Sequence, residues 1–297
     1  MSRVTAVMVT YQSGPSAARA LDALRPAFDR GELRAVVVDN HSGDGTADLI
    51  AESHPWAELV RSPRNLGYGR GCNLGFERVS TPYALIMNPD VLIAPEDVAR
   101  LIEVLDGRPR AAVAAPATRF AEREYQHAGG LPTPLSVASG IPPRRRPIMP
   151  GVEPFLTDWV CGAIMLIRSE AFQALRGFDP RFFLYFEETD LCRRLVDGGW
   201  EVWATGAAVA EHSGGASARA VDPSLRQGSC LHAHYYPSRY YYLHKHHGRL
   251  LAWMAESIDL VARAARDVGR VLLRRPSRAE LRTRLRAPLF RLPENPA

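Results

Sequence analysis

Over its first hundred residues the chain alternates between two hydrophobic periods. Residues 4–9, 33–38 and 83–87 are short apolar runs with few polar positions inside them. Such runs predict strands buried on both faces of a mostly parallel sheet. Residues 16–24, 46–53, 71–78 and 95–105 carry their apolar side chains at helical spacing. The last of these begins with Pro95, and Glu96 and Asp97 in its first turn complement the helix dipole. This β–α–β repetition predicts an α/β fold, a doubly wound sheet of the nucleotide-binding kind.

From residue 116 to 154 the texture changes. Proline and glycine multiply, and Arg144, Arg145 and Arg146 stand between prolines, which reads as a long excursion over the site. Regular patterning returns with a strand at 163–167, a helix at 169–175, a helix at 188–197 and a strand at 200–204. Ser169 suits the start of its helix and Gly177 the stop after it. The run HAHYYPSRYYYLHKHH (232–247) has no clean metal spacing and predicts a helical hairpin against the preceding domain. Residues 1–230 therefore read as a catalytic domain and 231–297 as a helical, Arg-rich extension.

Within that extension Leu250, Met254, Ile258, Val261, Ala265, Val268 and Leu272 recur at spacings of three and four. Arg263, Arg266, Arg270 and Arg274 fall on the other face, and Arg278, Arg282, Arg284 and Arg286 follow. This is an amphipathic basic helix. Two readings stand: an apolar face packed on the core with a solvated basic face, or peripheral attachment to an anionic membrane through 249–286. Nucleic-acid binding is disfavoured, because no recognition motif accompanies the charge.

The four cysteines (Cys72, Cys161, Cys192, Cys230) are widely spaced, which argues against a zinc ribbon and a dense disulfide framework and suits a reducing cytoplasm. No run approaches the roughly 20 apolar residues of a spanning helix, and the start of the chain does not read as a signal peptide.

Chemistry-bearing residues fall where an open α/β sheet binds ligands, beyond the carboxyl ends of its strands. The first strand ends in Thr10 and Tyr11, the second in Asp39 and Asn40, and the strand at 83–87 in Asn88, Pro89 and Asp90. Taken singly, Asp39 and Asp90 could as well cap turns. The segment RNLGYGRGCN (64–73) supplies glycines that would let backbone approach a ligand before a helix begins. Its G-x-G-x-G spacing is neither a dinucleotide fingerprint nor a P-loop. Further on, FFLYFEETD (182–190) delivers Glu187, Glu188 and Asp190 to a helix start. Acids there stabilise a helix in any case, by about 0.3–1 kcal/mol. They also suit a general base that must be ionised at neutral pH.

The ordered set V-x-x-T-Y, V-V-D-N-x-S-x-D-G-T, N-L-G-Y-x-x-G-x-N, N-P-D and F-F-x-Y-F-E-E-x-D-L-x-x-R resembles glycosyltransferase family 2, of the GT-A fold, in its bacterial rhamnosyltransferase-like branch. The match spans roughly residues 4–212. The resemblance implies an inverting transferase that moves a sugar from a nucleotide-diphosphate donor to an acceptor hydroxyl. It assigns Thr10, Tyr11 and Asp39 to the nucleoside, and Asn65 and Gly67 to the donor's surroundings. Asp90 becomes a ligand of a divalent metal, Mg²⁺ or Mn²⁺, with the neutral Asn88 where relatives carry a first acid. His212 completes the metal site, Arg239 reaches the donor diphosphate, and Trp159, Cys161 and Gly162 line the acceptor. Glu188 is the base, with Glu187 as the second choice. The most specific form of this expectation is L-rhamnose from dTDP-rhamnose, placed on a cell-envelope or lipid-linked glycan. Two rivals remain: a sugar-1-phosphate nucleotidyltransferase, which would need a basic Gly-rich loop after the first strand, and a sugar-nucleotide-binding scaffold without turnover.

Overall fold

A computed structural model describes residues 2–121, 124–213 and 231–273, together with Leu285, Phe290 and Leu292. Cys230 and the arginines from Arg274 to Arg286 lie outside the described residues. The N-terminal half runs β1 (Val4–Thr10), α1 (Gly14–Asp29), β2 (Leu33–Asp39), α2 (Thr46–Ser53), β3 (Glu58–Arg61), α3 (Tyr68–Phe76), β4 (Tyr83–Met87), β5 (Val91–Ile93) and α4 (Pro95–Asp106). It continues with β6 (Ala111–Ala121), β7 (Glu124–Tyr125), β8 (His127–Gly129), α5 (Pro134–Ser139), β9 (Arg145–Pro147) and β10 (Phe155–Thr157). Then come β11 (Ile164–Arg168), α6 (Ser169–Ala174), α7 (Glu187–Asp197), β12 (Glu201–His212), a π-helical turn (Leu231–Tyr235), α8 (Tyr236–His247) and α9 (Arg249–Leu272).

The main sheet has the order β10-β12-β6-β11-β4-β1-β2-β3, with β5 on β12 and β7 on β6. Strands β1, β2, β3 and β4 are parallel, as are β6 and β12, while β11 is inserted antiparallel between β4 and β6. All seven residues of β1 are buried, because helices cover both faces: Val4, Ala6 and Met8 pack on one side with Leu21, Leu24 and Leu101, and Val7 and Val9 on the other with Cys72 and Phe76. The register pairs Thr10 with Asp39 and Met8 with Met87, so the carboxyl ends of β1, β2 and β4 share one edge. The antiparallel β11 starts at that edge, with Ile164 opposite Met87.

Three expectations change. Residues 116–121 belong to β6, and the excursion beyond it is built of β7, the β8–β9 pair and α5 rather than irregular chain. Pro116 hid this strand, since a proline cannot donate to a ladder; the partner β12 has its irregularity between Thr205 and Val209, where Pro116 pairs. There the N–H of Val209 is taken instead by Asp97 Oδ1 (3.1 Å). Strand β12 accordingly runs on to His212 rather than stopping at residue 204. Ser169 does not cap α6: its hydroxyl donates to the Thr81 carbonyl (2.7 Å). Gly177 does follow the helix in the left-handed region (φ +74°).

The predicted helical hairpin forms as α8 and α9. Tyr240, Tyr241, Tyr242 and Leu243 of α8 make a third apolar cluster with Phe182, Phe186, Ala252 and Ala255. Among the described residues no helix is long and apolar enough to cross a membrane. Cys72, Cys161 and Cys192 are free.

Candidate active site

At the end of β1, Thr10 is fully buried and shares a hydrogen bond with Ser13 (2.8 Å). Across the register, Asp39 ends β2. Its Oδ2 accepts the Ser42 N–H (3.2 Å), while its buried Oδ1 has no partner among the described residues. A buried carboxylate oxygen without a donor is costly. It is therefore a place for a donor from a ligand. Gln12 and His41, which follow the two strand ends, both hold positive φ (48° and 70°), and the Gln12 N–H donates to Ser42 Oγ (2.9 Å), locking the two turns together. Tyr11 is half-buried beside them.

Asn40, which follows Asp39 at the strand end, organises the next loop. Its Nδ2 donates to Asn65 Oδ1 (2.9 Å) and to the Gly67 carbonyl (3.2 Å), and its Oδ1 accepts the Leu66 N–H (2.8 Å). Asn65 Oδ1 also accepts the Gly67 N–H (2.9 Å), so this side chain braces the loop. Gly67 has φ +79°, and a Cβ there would lie 2.2 Å from the Phe183 carbonyl oxygen, which accepts the Tyr68 N–H (2.9 Å). The later glycines serve packing rather than ligand approach: a Cβ on Gly71 would meet Val9 at 2.8 Å, and one on Gly75 would meet Val7 at 2.6 Å. They let α3 lie flat on the sheet.

Beyond β4, half-buried Asn88 gives its N–H to the Ala163 carbonyl (2.8 Å), and Asp90 is buried. Strands β5 and β12 pair His212 opposite Val91, which brings His212 Nε2 to 3.1 Å from Asp90 Oδ1. Gln126 Nε2, from the turn between β7 and β8, lies 3.4 Å from His212 Nδ1. Sequence reasoning missed Gln126, because nothing local marks it. Among the described residues no cluster of three or more acidic, His or Cys side chains forms a ready cation cage. The donor set is one carboxylate and one imidazole.

The carboxylates of α7 are set by an unusual turn. Tyr185 and Phe186 both occupy the left-handed region (φ 68° and 67°), a conformation non-glycine residues enter at some cost. Glu188 Oε1 accepts from Trp159 Nε1 (3.3 Å) and Thr189 Oγ1 (3.0 Å). A Cβ on Gly162 would lie 3.0 Å from Glu188 Cβ, and the Gly162 carbonyl accepts the Tyr68 hydroxyl (3.0 Å). Trp159, Gly162 and Glu188 are thus brought together. Glu187 is buried, with Oε2 lacking a partner among the described residues.

Placement at a helix start does not lower the pKa values of these two acids. Burial, then repulsion from Glu188, raises the Glu187 carboxyl well above its ordinary value; burial also raises Glu188, against the hydrogen bonds from Thr189 and Trp159. Desolvation outweighs the dipole. The Cys161 thiol is pushed up to about 12 by burial and then by the charge of Glu188, so it is not a thiolate at neutral pH.

Two further side chains play parts the sequence did not reveal. Asp190, fully buried, is held by Arg194 Nε (2.7 Å), Lys245 Nζ (2.6 Å) and His246 Nε2 (2.8 Å). Burial works to raise its pKa, but His246, Arg194 and Lys245 together leave it below the ordinary value. Arg239 does not serve a diphosphate. It is buried between α8 and α9, with Nε on Glu256 Oε1 (2.8 Å) and Nη2 on Glu256 Oε2 (2.6 Å) and Asp259 Oδ2 (2.8 Å), its charge already met by two acids.

This arrangement can be set beside known proteins. N-acetylglucosaminyl-diphospho-decaprenol L-rhamnosyltransferase of Mycobacterium tuberculosis is 28% identical over 268 residues, covering 82% of this chain and 84% of its own. Among solved structures, a mannosyltransferase of Pyrobaculum calidifontis in complex with GDP-Man and Mn²⁺ matches 95% of this chain and 84% of its own (TM-score 0.56, 17% identity). GalNAc-T7 with UDP, GalNAc and Mn²⁺ matches with TM-score 0.58 at 15% identity, over 70% of this chain and 42% of its own. These structural likenesses establish the fold as that of GT-A transferases. The profile described as Glycosyl transferase family 2 matches residues 5–176, which takes in both strand-end acids, the glycine loop and the Asn88–Asp90 turn, and the chain is accordingly a member of glycosyltransferase family 2.

Proposed function

We propose that the chain is an inverting transferase that moves a sugar from a nucleotide-diphosphate donor to a hydroxyl of a lipid-linked or cell-envelope glycan. L-rhamnose from dTDP-rhamnose is the favoured donor, supported by the name of the mycobacterial relative. The observation that carries the reading is an acceptor at Asp39, at the end of β2, unpartnered among the described residues, together with a half-buried, Trp159-held carboxylate at Glu188 in the first turn of α7. Residues 1–230 form the catalytic unit in this reading, and 231–297 its extension.

Thr10, Tyr11 and Asp39 hold the nucleoside, with Asp39 Oδ1 accepting from a base N–H or a ribose hydroxyl. Asn65 and Gly67 shape the wall beside the donor. Asp90 and His212 would hold a divalent cation, Mg²⁺ or Mn²⁺; an adjacent carboxylate and imidazole fit such an ion when diphosphate oxygens supply the remaining positions. When bound, the ion supplies electrostatic neutralisation of the departing nucleoside diphosphate. Mn²⁺ accompanies both solved structures named above. Asn88 contributes no charge there. Trp159, Cys161 and Gly162 border the acceptor.

Glu188 takes the acceptor proton as that oxygen attacks the anomeric carbon opposite the leaving group. The new glycosidic bond forms as the bond to the diphosphate oxygen breaks, and the configuration inverts. A carboxylate whose pKa is raised by burial is the stronger base for this step. Peripheral attachment to a membrane through the extension suits an acceptor carried on a lipid.

The test is turnover of dTDP-rhamnose and of other nucleotide sugars, each with and without Mn²⁺, read as nucleoside diphosphate release. Metal-dependent release that is lost in Glu188→Gln supports the reading; no release from any donor overturns it.

A further inference from the structure

Helix α9 is turned inside out. A helix on a globular protein buries its apolar stripe and gives its charges to water. Here Ala252, Ala255, Glu256 and Asp259 face inward, and the two acids are neutralised there by Arg239 and Arg263. The apolar stripe faces out: Ile258 is 48% exposed, Val261 67% and Leu272 78%. Helix α5 packs along one flank of α9 through Val137, and a Cβ on Gly140, just after α5, would lie 3.8 Å from the Arg266 guanidinium. Two more exposed apolar side chains stand here, Leu135 on α5 (77% exposed) and Ile141 just after Gly140 (69%). Exposed arginines accompany both parts, Arg249 and Arg266 on α9 and Arg144 beyond Ile141.

We propose that α9 and the α5 turn form one composite docking face for an anionic bilayer. Its apolar side chains enter the headgroup region, and Arg144, Arg249 and Arg266 meet lipid phosphates. The proposal deepens, and rests on, the reading of a lipid-linked acceptor. Charge selects the occupant: α9 turns Glu256 and Asp259 inward onto Arg239 and Arg263 and leaves Arg249 and Arg266 exposed on its flanks, a balance that complements a negative interface. The α5 turn also ties this face to the site. It lies between β8 and β9, and Gly129 of β8 exchanges backbone hydrogen bonds with the 158–159 segment that presents Trp159 to Glu188.

The experiment is flotation of the full chain with phosphatidylcholine vesicles, with and without phosphatidylglycerol. It involves no sugar chemistry, so a wrong donor or a failed transfer assay leaves it unaffected. Two exposed pairs are changed separately, Ile258→Asp with Val261→Asp and Leu135→Asp with Ile141→Asp. The wild-type chain is expected to float with the anionic vesicles. Each pair should lower the lipid partition coefficient at least about tenfold while the melting temperature stays at the wild-type value. Wild-type chain that stays at the bottom overturns the proposal. Unchanged flotation of the Leu135/Ile141 pair removes α5 from the face. A wild-type dimer that the α9 pair converts to monomer, without flotation, assigns the stripe to a second copy. A fall in melting temperature of the α9 pair, again without flotation, means that the chain itself covers the stripe.

Discussion

Lys245 Nζ lies 2.6 Å from Asp190 Oδ1, and through this contact the C-terminal hairpin grips the helix that carries the proposed base, two residues from Glu188. The same ammonium reaches Asp179 Oδ2 (2.7 Å), which also accepts the Tyr241 hydroxyl (2.9 Å). Breaking a buried pair leaves an uncompensated charge. Asp190→Asn is therefore expected to destabilise the chain by about 3–5 kcal/mol, measured by denaturant unfolding. The wild-type contribution is present above the ordinary carboxylate pKa and is lost as pH falls through the lowered folded value. The variant should accordingly show a shallower loss of stability in acid.

Glu188→Gln is expected to lower kcat by roughly 10²–10⁴-fold with little change in the melting temperature. In the wild-type chain the acidic limb of kcat/KM should fall at a pH above 4.5, the ordinary glutamate value, because burial raises this carboxyl. A limb at or below that value would point to a different base.

Glu187→Gln should stabilise. A raised folded pKa favours the folded state below the ordinary glutamate pKa, and this contribution is lost as pH rises through the folded value. At pH 8 the neutral amide avoids a buried charge, and a gain of about 1–3 kcal/mol is expected, or roughly 2–4 °C per kcal/mol. Near pH 4, where wild-type Glu187 is protonated, scanning calorimetry should find the gain gone.

Gly67→Ala forces a Cβ into the Phe183 carbonyl at positive φ. A loss of about 1–3 kcal/mol is expected from backbone strain, with a rise in donor KM as the two loops part. Steady-state kinetics and thermal melting on one sample separate the two effects.

His212→Ala should abolish Mn²⁺-dependent stabilisation of the chain by its nucleoside diphosphate in a thermal-shift assay. Gln126→Ala, acting through the imidazole it faces, should weaken Mn²⁺ affinity about tenfold. Equal shifts in all three proteins would remove His212 from the metal site.

The parallel strands, their helices and the edge that gathers Thr10, Asp39 and Asp90 were legible because buried strands leave an unmistakable apolar run. The pairing of Trp159 with Glu188 was foreshadowed only by resemblance, since 29 positions separate them. Gln126, and the bracing role of Asn40, escaped because a single amide carries no periodic signal. Strand β6 escaped because Pro116 argues against a ladder unless the bulge in β12 is already known. Arg239 was misplaced for a related reason: an arginine's charge is visible in a sequence, but the acids that neutralise it across a hairpin are not. The upward shift of the Glu188 carboxyl escaped because burial is a tertiary property.

The hydrogen bond from Tyr68 to the Phe183 carbonyl has a consequence for synthesis. The half of the site proposed to hold the nucleoside leaves the ribosome first, as β1 to β4, while the wall that closes its glycine loop arrives only after β11 and α6 have been made. The residue proposed to remove a proton follows directly behind that wall. On the proposed roles, the donor side of the site is therefore made before the residue that would complete transfer, and an unfinished chain lacks the means to use an activated sugar.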